Sequence, residues 1–331
     1  MLKETLKLIT VICPVYNEEQ YIENVLSFFV NAEPFEKELL VVDGGSNDKT
    51  VSIVSEWQKD YPNIKLIINP KKYVPFALNI AIKQSSGSPI IRLDAHTEYA
   101  SDYFLSLLET FDKTGADIVG GPMRKKGKTN FQKAVVYVTS TVLGLGGSKI
   151  HRVEYSGYSD HVYLGAWKRS LFEEVGYFDE GLLRNQDDEF HYRVKSKGKK
   201  IFLNSDIKSY YYPRSDFKSL IKQYFQYGVF KPIVSKKVKS EIKLRHIIPF
   251  LFVLYLFFSL LFFFHAIIYL PLLIYILLCL FFSVKSRLNL KSMVITFFVF
   301  PAIHISYGMG YIIGLMKLLF GMRRAYSKVE V

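Results

Sequence analysis

Cysteine is nearly absent from this 331-residue chain: two occur, Cys13 and Cys279. Cys13 closes an apolar run and Cys279 lies in a hydrophobic stretch, so neither a disulfide framework nor a cysteine zinc site can be drawn. The chemistry is expected in the cytosol. Two glycine signatures are missing as well. There is no G-x-G-x-x-G and no G-x-x-x-x-G-K-[ST], which weakens the dinucleotide-oxidoreductase and P-loop readings. No basic leader followed by a long apolar stretch opens the chain, so the large N-terminal domain is expected to stay in the cytosol.

Acids are scarce toward the C-terminus. From Lys231 onward 13 Lys and Arg stand against two acids, which leaves only +2 of the net charge of +13 for residues 1–230. A basic excess can signal nucleic acid, but here it collects at Lys231, Lys236, Lys237, Lys239, Lys243 and Arg245, just before a hydrophobic block. That placement suits anionic lipid on a cytoplasmic face and excludes nucleic acid as the expected partner. Residues 247–284 contain no Asp, Glu, Lys or Arg, a run of 38. One crossing needs about 20 apolar residues, so this run supplies two short crossings with a break near His265 or Pro271. A second uncharged block, Ser292 to Met316, is interrupted by Pro301, His304 and Gly308. Three crossings would place Arg323 and Arg324 outside, against the positive-inside tendency. A re-entrant last block or a single bent first element are the other possibilities.

Residues 7–122 alternate strand-like apolar runs with helix-length amphipathic ones, the pattern of βαβ units on a parallel sheet. Strands are expected at 7–13, 38–42, 64–68, 89–93 and 117–120, and helices near 18–31, 48–60, 74–85 and 101–113. Three strand endings carry polar or glycine residues: Pro14-Val15-Tyr16-Asn17-Glu18, Asp43-Gly44-Gly45-Ser46-Asn47-Asp48 and Asp94-Ala95-His96. Open α/β sheets bind ligands at this carboxyl edge.

Asp94 and His96 are i and i+2, so on a continuing strand their side chains share a side and could hold a divalent cation. A turn with Asp as a cap is the plainer reading. Asp43 can accept a hydrogen bond from a ring N–H or a ribose hydroxyl, and its two glycines allow close approach to the backbone. Asp187, Asp188 and Glu189 open an expected helix. They complement the helix dipole, or one of them, its proton affinity raised by its neighbours, is a general base. Gly144 to Ser148, near His151 and Arg152, reads as an ordinary surface loop or as one that orders over substrate. The aromatic, basic segment 216–231 reads as an interfacial helix or a plain packed one.

Taken in order, Val11 to Glu19, Val41 to Thr50, Leu93 to His96 and Asn185 to Glu189 resemble the family 2 glycosyltransferases of the GT-A fold. The Asp-Ala-His form, Gln223-Tyr224-Phe225-Gln226-Tyr227-Gly228 and the hydrophobic tail are similar to the succinoglycan-type bacterial exopolysaccharide enzymes. The resemblance spans roughly residues 7–230. It implies an α/β, mostly parallel catalytic domain at 1–230 ending in the interfacial helix. A basic linker at 231–246, a membrane region of two to three segments at 247–320 and a basic tail at 321–331 would follow.

The resemblance also implies site roles. Pro14, Tyr16, Glu18 and Asp43 would contact the donor nucleoside. Asp94 and His96 would grip the donor diphosphate through Mn2+ or Mg2+, since imidazole also binds Mn2+. Asp187 matches the Asp of the family's Glu-Asp base motif. Gln186 stands where Glu is usual, which leaves Asp188 and Glu189 open as the base. Gln223, Tyr224 and Tyr227 would lie at the acceptor or membrane interface. Processive synthases carry Gln-x-x-Arg-Trp there, and the missing Arg and Trp argue for adding one sugar. The expected reaction is inverting transfer from a nucleotide sugar, by family habit a UDP-sugar, to a polyprenyl-diphosphate-linked saccharide at the inner membrane. A catalytically silent nucleotide-sugar-binding or scaffold subunit is the alternative, with Gln186 as its support.

Overall fold

The computed structural model describes residues 8–145, 149–238, 243–261 and 265–320. The basic tail at 321–331, part of the linker and residues 146–148 of the glycine-rich loop lie outside the described residues. The chain begins β1 (Ile9–Val15), α1 (Ile22–Asn31), β2 (Lys37–Asp43), α2 (Thr50–Asp60), β3 (Ile64–Ile68) and α3 (Val74–Gln84). It continues through β4 (Ile90–Arg92), β5 (Thr97–Tyr99), α4 (Tyr103–Thr114), β6 (Ile118–Gly121) and β7 (Arg124–Lys125). Helices α5 (Asn130–Ser140) and α6 (Val142–Leu145) precede β8 (Gly157–Tyr158), β9 (Tyr163–Trp167), α7 (Ser170–Val175) and α8 (Gln186–Ser196). Then come β10 (Ile201–Leu203), β11 (Ser209–Tyr211) and α9 (Phe217–Val238), followed by α10 (Leu244–Leu261), α11 (Leu270–Lys285) and α12 (Leu290–Leu319).

Two compact units result, one of residues 1–124 and 149–211, the other of 125–148 and 212–331. In the first, eight strands run in the order β3-β2-β1-β4-β9-β6-β10-β8. β3, β2, β1 and β4 are parallel, as are β6 and β10, while β9 runs antiparallel between β4 and β6. Strand parity sorts two cores. Ile9, Val11, Cys13 and Val15 of β1 meet Val25, Leu26 and Phe29 of α1 and Phe104 of α4 on one face. Ile12, with Leu40 and Val42 of β2, meets Leu78 and Ile82 of α3 on the other, where Trp167, Phe178, Phe190 and Val194 also lie. Every residue of β2 is buried, as befits a strand covered on both faces. The register Val15↔Asp43 and Ile12↔Arg92 brings the ends of β1, β2 and β4 to one edge.

In the second unit α5, α9, α11 and α12 enclose Val135, Val138, Leu220, Cys279, Val299, Phe300 and Ile303. α9 and α12 approach backbone to backbone: a Cβ at Gly228 would stand 2.1 Å from the Tyr307 carbonyl oxygen, and one at Gly310 2.1 Å from that of Phe225. Such small-residue contacts are what lets apolar helices associate in lipid, where hydrophobic burial gives little drive. Several polar groups find partners inside the unit. Asn130 Oδ1 accepts from Asn289 Nδ2 at 3.0 Å and Ser292 Oγ at 3.1 Å, and His304 lies between the Tyr275 hydroxyl (2.8 Å) and the Leu143 carbonyl (3.0 Å).

Among the described residues three helices, Leu244–Leu261, Ala266–Lys285 and Leu290–Leu319, are long and apolar enough to cross a membrane. At 1.5 Å per residue they extend roughly 27, 30 and 45 Å, against a hydrocarbon core of about 30 Å. Leu251, Phe258, Leu277 and Leu280 stay exposed on α10 and α11, an apolar surface of the kind that faces lipid. The segment expected as an interfacial helix at 216–231 is the first part of α9, which runs on to Val238 and lies along α12.

Candidate active site

The loops after β1 and β2 are laced together. Asn17 N donates to Ser46 Oγ at 2.8 Å, Asn47 N to Asn17 Oδ1 at 3.0 Å, Glu18 N to Thr50 Oγ1 at 2.8 Å and Lys49 N to Glu19 Oε2 at 3.0 Å. Asp43 anchors this weave from the buried end of β2. Its Oδ2 accepts from Gly45 N (2.8 Å) and Ser46 N (2.9 Å), and its Oδ1 from Ser46 Oγ (2.5 Å). An ionised carboxylate has about four acceptor positions, so Asp43 commits most of its capacity to shaping the loop. Pro14, Tyr16 and Glu18 are half-buried on the same edge, and Lys72 Nζ lies 4.1 Å over the Tyr16 ring.

The strand carrying Asp94 and His96 does not continue. β4 stops at Arg92 and the chain turns, with Thr97 N donating to the Asp94 carbonyl at 3.2 Å. The Tyr99 hydroxyl clamps the turn, accepting from Asp94 N at 2.7 Å and donating to the Asp94 carbonyl at 3.2 Å. The expectation of two side chains on one strand face is therefore replaced by a turn. β5, begun at Thr97, pairs with β11, and the turn is what lets the chain leave the large sheet for the small one. Within it, His96 Nδ1 lies 3.4 Å from Glu18 Oε1, and the two side chains are 39% and 20% exposed.

Asp187 arrives from the far end of the sheet. α8 buries Phe190, His191 and Val194, with the Phe190 ring 4.6 Å from Phe178 and 5.4 Å from Phe172. Positions 187, 190, 191 and 194 form one helical stripe, so Asp187 is the polar head of the buried face. Arg92 meets it there. By strand parity Arg92 shares the face of Ile90, the one α8 covers. Its Nε and Nη2 hold Asp94 at 2.9 and 3.3 Å, and its Nη1 reaches the Asp187 oxygens at 3.3 and 3.4 Å. Burial alone would make the guanidinium easier to deprotonate, but Asp94 and Asp187 more than reverse this and raise its pKa. Desolvation raises the Asp187 pKa, Arg92 opposes, and the Asp94 and Asp188 carboxylates add to the rise.

The neighbouring acids have other partners. Asp188 Oδ1 lies 3.5 Å from His161 Nδ1. Glu189 is buried and clasped by Arg193 through Nε at 2.6 Å and Nη2 at 2.9 Å. His161 stacks edgewise on His191, which burial and His161 hold far below the usual imidazole range, at about 3. Gln186, the first residue of α8, is buried. In the second unit Gln223 Nε2 donates to the Tyr227 hydroxyl at 3.2 Å, and Tyr224 packs edgewise on Tyr227 at 5.7 Å.

Sequence reading missed Arg92. The signal was present: a lone guanidinium within Ile90-Ile91-Arg92-Leu93, a run that reads as buried, must find acidic partners. As for a metal, no group of three metal-competent side chains occurs among the described residues. One carboxylate and one imidazole in a single half-exposed turn do fit an ion that takes its remaining ligands from phosphate and water, as Mg2+ does.

The family described as Glycosyl transferase family 2 matches residues 10–176. The succinoglycan biosynthesis protein ExoA of Rhizobium meliloti (strain 1021) is 32% identical over 243 residues, covering 72% of this chain and 73% of the relative. A dolichyl N-acetyl-alpha-D-glucosaminyl phosphate 3-beta-D-2,3-diacetamido-2,3-dideoxy-beta-D-glucuronosyltransferase of Methanococcus voltae is 32% identical over 256 residues, covering 74% and 79%. Among solved structures, a mannosyltransferase of Pyrobaculum calidifontis in complex with GDP-Man and Mn2+ superposes with a TM-score of 0.52 at 20% identity, over 70% of this chain and 69% of that one. The edge loops, the acids they gather and these relationships agree: the chain belongs to glycosyltransferase family 2, an enzyme with a GT-A catalytic fold followed by three apolar helices of membrane-spanning length.

Proposed function

We propose that this glycosyltransferase moves one sugar from a nucleoside-diphosphate sugar, a UDP-sugar, to a lipid-linked saccharide at the cytosolic face of the inner membrane, with inversion. The observation that carries the reading is the meeting of Asp94 and Asp187 through Arg92, at the strand edge where the Asp43 loop lies. Pro14, Tyr16, Glu18 and the loop shaped by Asp43 hold the nucleoside. Asp187 is the general base. It takes the proton of the acceptor hydroxyl as that oxygen bonds to the anomeric carbon, and the bond to the diphosphate breaks with its electron pair leaving on oxygen. Its raised proton affinity makes it a stronger base than a free carboxylate. Asp94 and His96 would hold a divalent cation, Mn2+ or Mg2+, together with the donor, and when bound it would supply Lewis-acid stabilisation to a diphosphate leaving group.

The lipid-linked acceptor is supported by the apolar helices and by the dolichyl-linked substrate in the Methanococcus relative's name. Gln223, Tyr224 and Tyr227 on α9 are the side chains assigned to the acceptor or membrane interface. The test is a screen of radiolabelled UDP- and GDP-sugars with native membrane lipids as acceptor, with Mn2+ or Mg2+ and with EDTA. One sugar added per lipid, abolished by EDTA and restored by Mn2+, is expected. Polymer on the lipid, or no turnover of any nucleotide sugar, would refute the reading. Asp187→Asn separates the enzyme from a silent scaffold, because a scaffold would keep its cellular function with asparagine there.

A further inference from the structure

Arg92 has no part in the chemistry just described, yet its place is costly. It is 8% exposed, between Ile91 and Leu93, both fully buried, and an unpaired guanidinium there would lose most of its hydration. Its fork closes on Asp94 through two bonds, 2.9 Å to Oδ1 and 3.3 Å to Oδ2, and the remaining amine spans to Asp187. Both oxygens of the proposed metal-binding carboxylate are thus already in contact with a fixed cation. An ion arriving alone would meet a carboxylate already paired with a guanidinium, an imidazole whose Nδ1 lies 3.4 Å from Glu18 Oε1, and a like charge close behind. An ion arriving with a diphosphate brings anionic oxygens that complete its coordination and offset that like charge.

We infer that Arg92 is an internal counter-cation: it holds Asp94 and Asp187 together in the donor-free protein and competes with the divalent ion for Asp94, so that the ion binds together with the nucleoside diphosphate rather than ahead of it. This rests on the proposed metal role of Asp94. Arg92 is a positioning residue, acting through the two carboxylates and not on the sugar.

The experiment titrates Mn2+ into the full-length protein in lipid nanodiscs, reading free Mn2+ by electron paramagnetic resonance, alone and with UDP or GDP. Wild type is expected to bind Mn2+ weakly alone and at least about tenfold more tightly with a nucleoside diphosphate, the size of effect typical for groups next to a metal ligand. Arg92→Gln is expected to bind Mn2+ alone about tenfold more tightly than wild type, and the gain from nucleotide should shrink accordingly. Arg92→Lys keeps the charge but loses the fork. It should fall between the two, and it carries the test if the glutamine variant does not fold. Wild type that needs the nucleotide while the folded variants bind Mn2+ alone no better overturns the inference and leaves the proposed function standing. Wild type that binds no Mn2+ with either nucleotide overturns both.

Discussion

Three consecutive acids open α8, and their surroundings divide them. Asp187 heads the buried stripe and meets Arg92, Asp188 turns to His161, and Glu189 is locked to Arg193. Asp187→Asn should therefore lower sugar transfer by about 10²- to 10⁴-fold, the usual worth of a general base, with little change in melting temperature. Glu189→Gln should do the opposite. Loss of its buried partnership with Arg193 costs about 2 kcal/mol of stability while activity per folded molecule is kept, and equal loss of turnover in both variants would remove the distinction. His191 makes stability depend on pH. Its folded pKa of about 3 lies below the unfolded value near 6.5, so protonation favours the unfolded chain. The contribution is whole above pH 6.5 and declines as pH falls from there toward 3, by about 1.4 kcal/mol per unit. Thermal melts of His191→Phe between pH 7.5 and 5 should show a shallower decline than wild type, and parallel curves would count against this account.

At the scale of elements, the contact of α9 with α12 turns on absent side chains. Glycine inside a helix usually costs about 1 kcal/mol relative to alanine, so on propensity alone replacing Gly228 or Gly310 would stabilise either helix. The facing backbone reverses that sign, since each new Cβ would meet a carbonyl oxygen at 2.1 Å. Gly310→Val is expected to lower stability in detergent by about 1–3 kcal/mol, as overpacking does, whereas Val294→Leu on an exposed turn of the same helix should not. A melting temperature unchanged by the valine would show that the helices separate freely. Composition in the sequence located these helices, α9 as an aromatic, basic segment and α12 as an uncharged block. It could not show that α9 lies along α12, because aromatic and basic side chains suit an interfacial surface and a packed one equally, and the deciding atoms belong to Tyr307 and Phe225.

At the scale of the whole molecule, the three apolar helices of the described residues, with exposed leucine and phenylalanine faces, are expected to keep the protein in the pellet when membranes are extracted with alkaline carbonate or with salt of about 1 M, which strips surface-bound proteins by screening. Release into the supernatant would contradict a spanning role. What the sequence determined alone is what short-range patterning encodes. Alternating strand and helix periods placed β1 to β4 and α1 to α4 within a few residues, the strand endings marked the acidic edge, and the uncharged runs marked the helices beyond Arg245. Tertiary structure decided the rest. It joined Asp94 to Asp187 through the guanidinium of Arg92, 95 residues before Asp187, turned the chain at Asp94 instead of extending it, gave the three acids of α8 different partners, and grouped α5 and α6 with the apolar helices. A chain's local pattern states which face of an element seeks burial. Which distant face answers it depends on packing, charge and hydrogen bonding summed over contacts that no stretch of neighbouring residues contains.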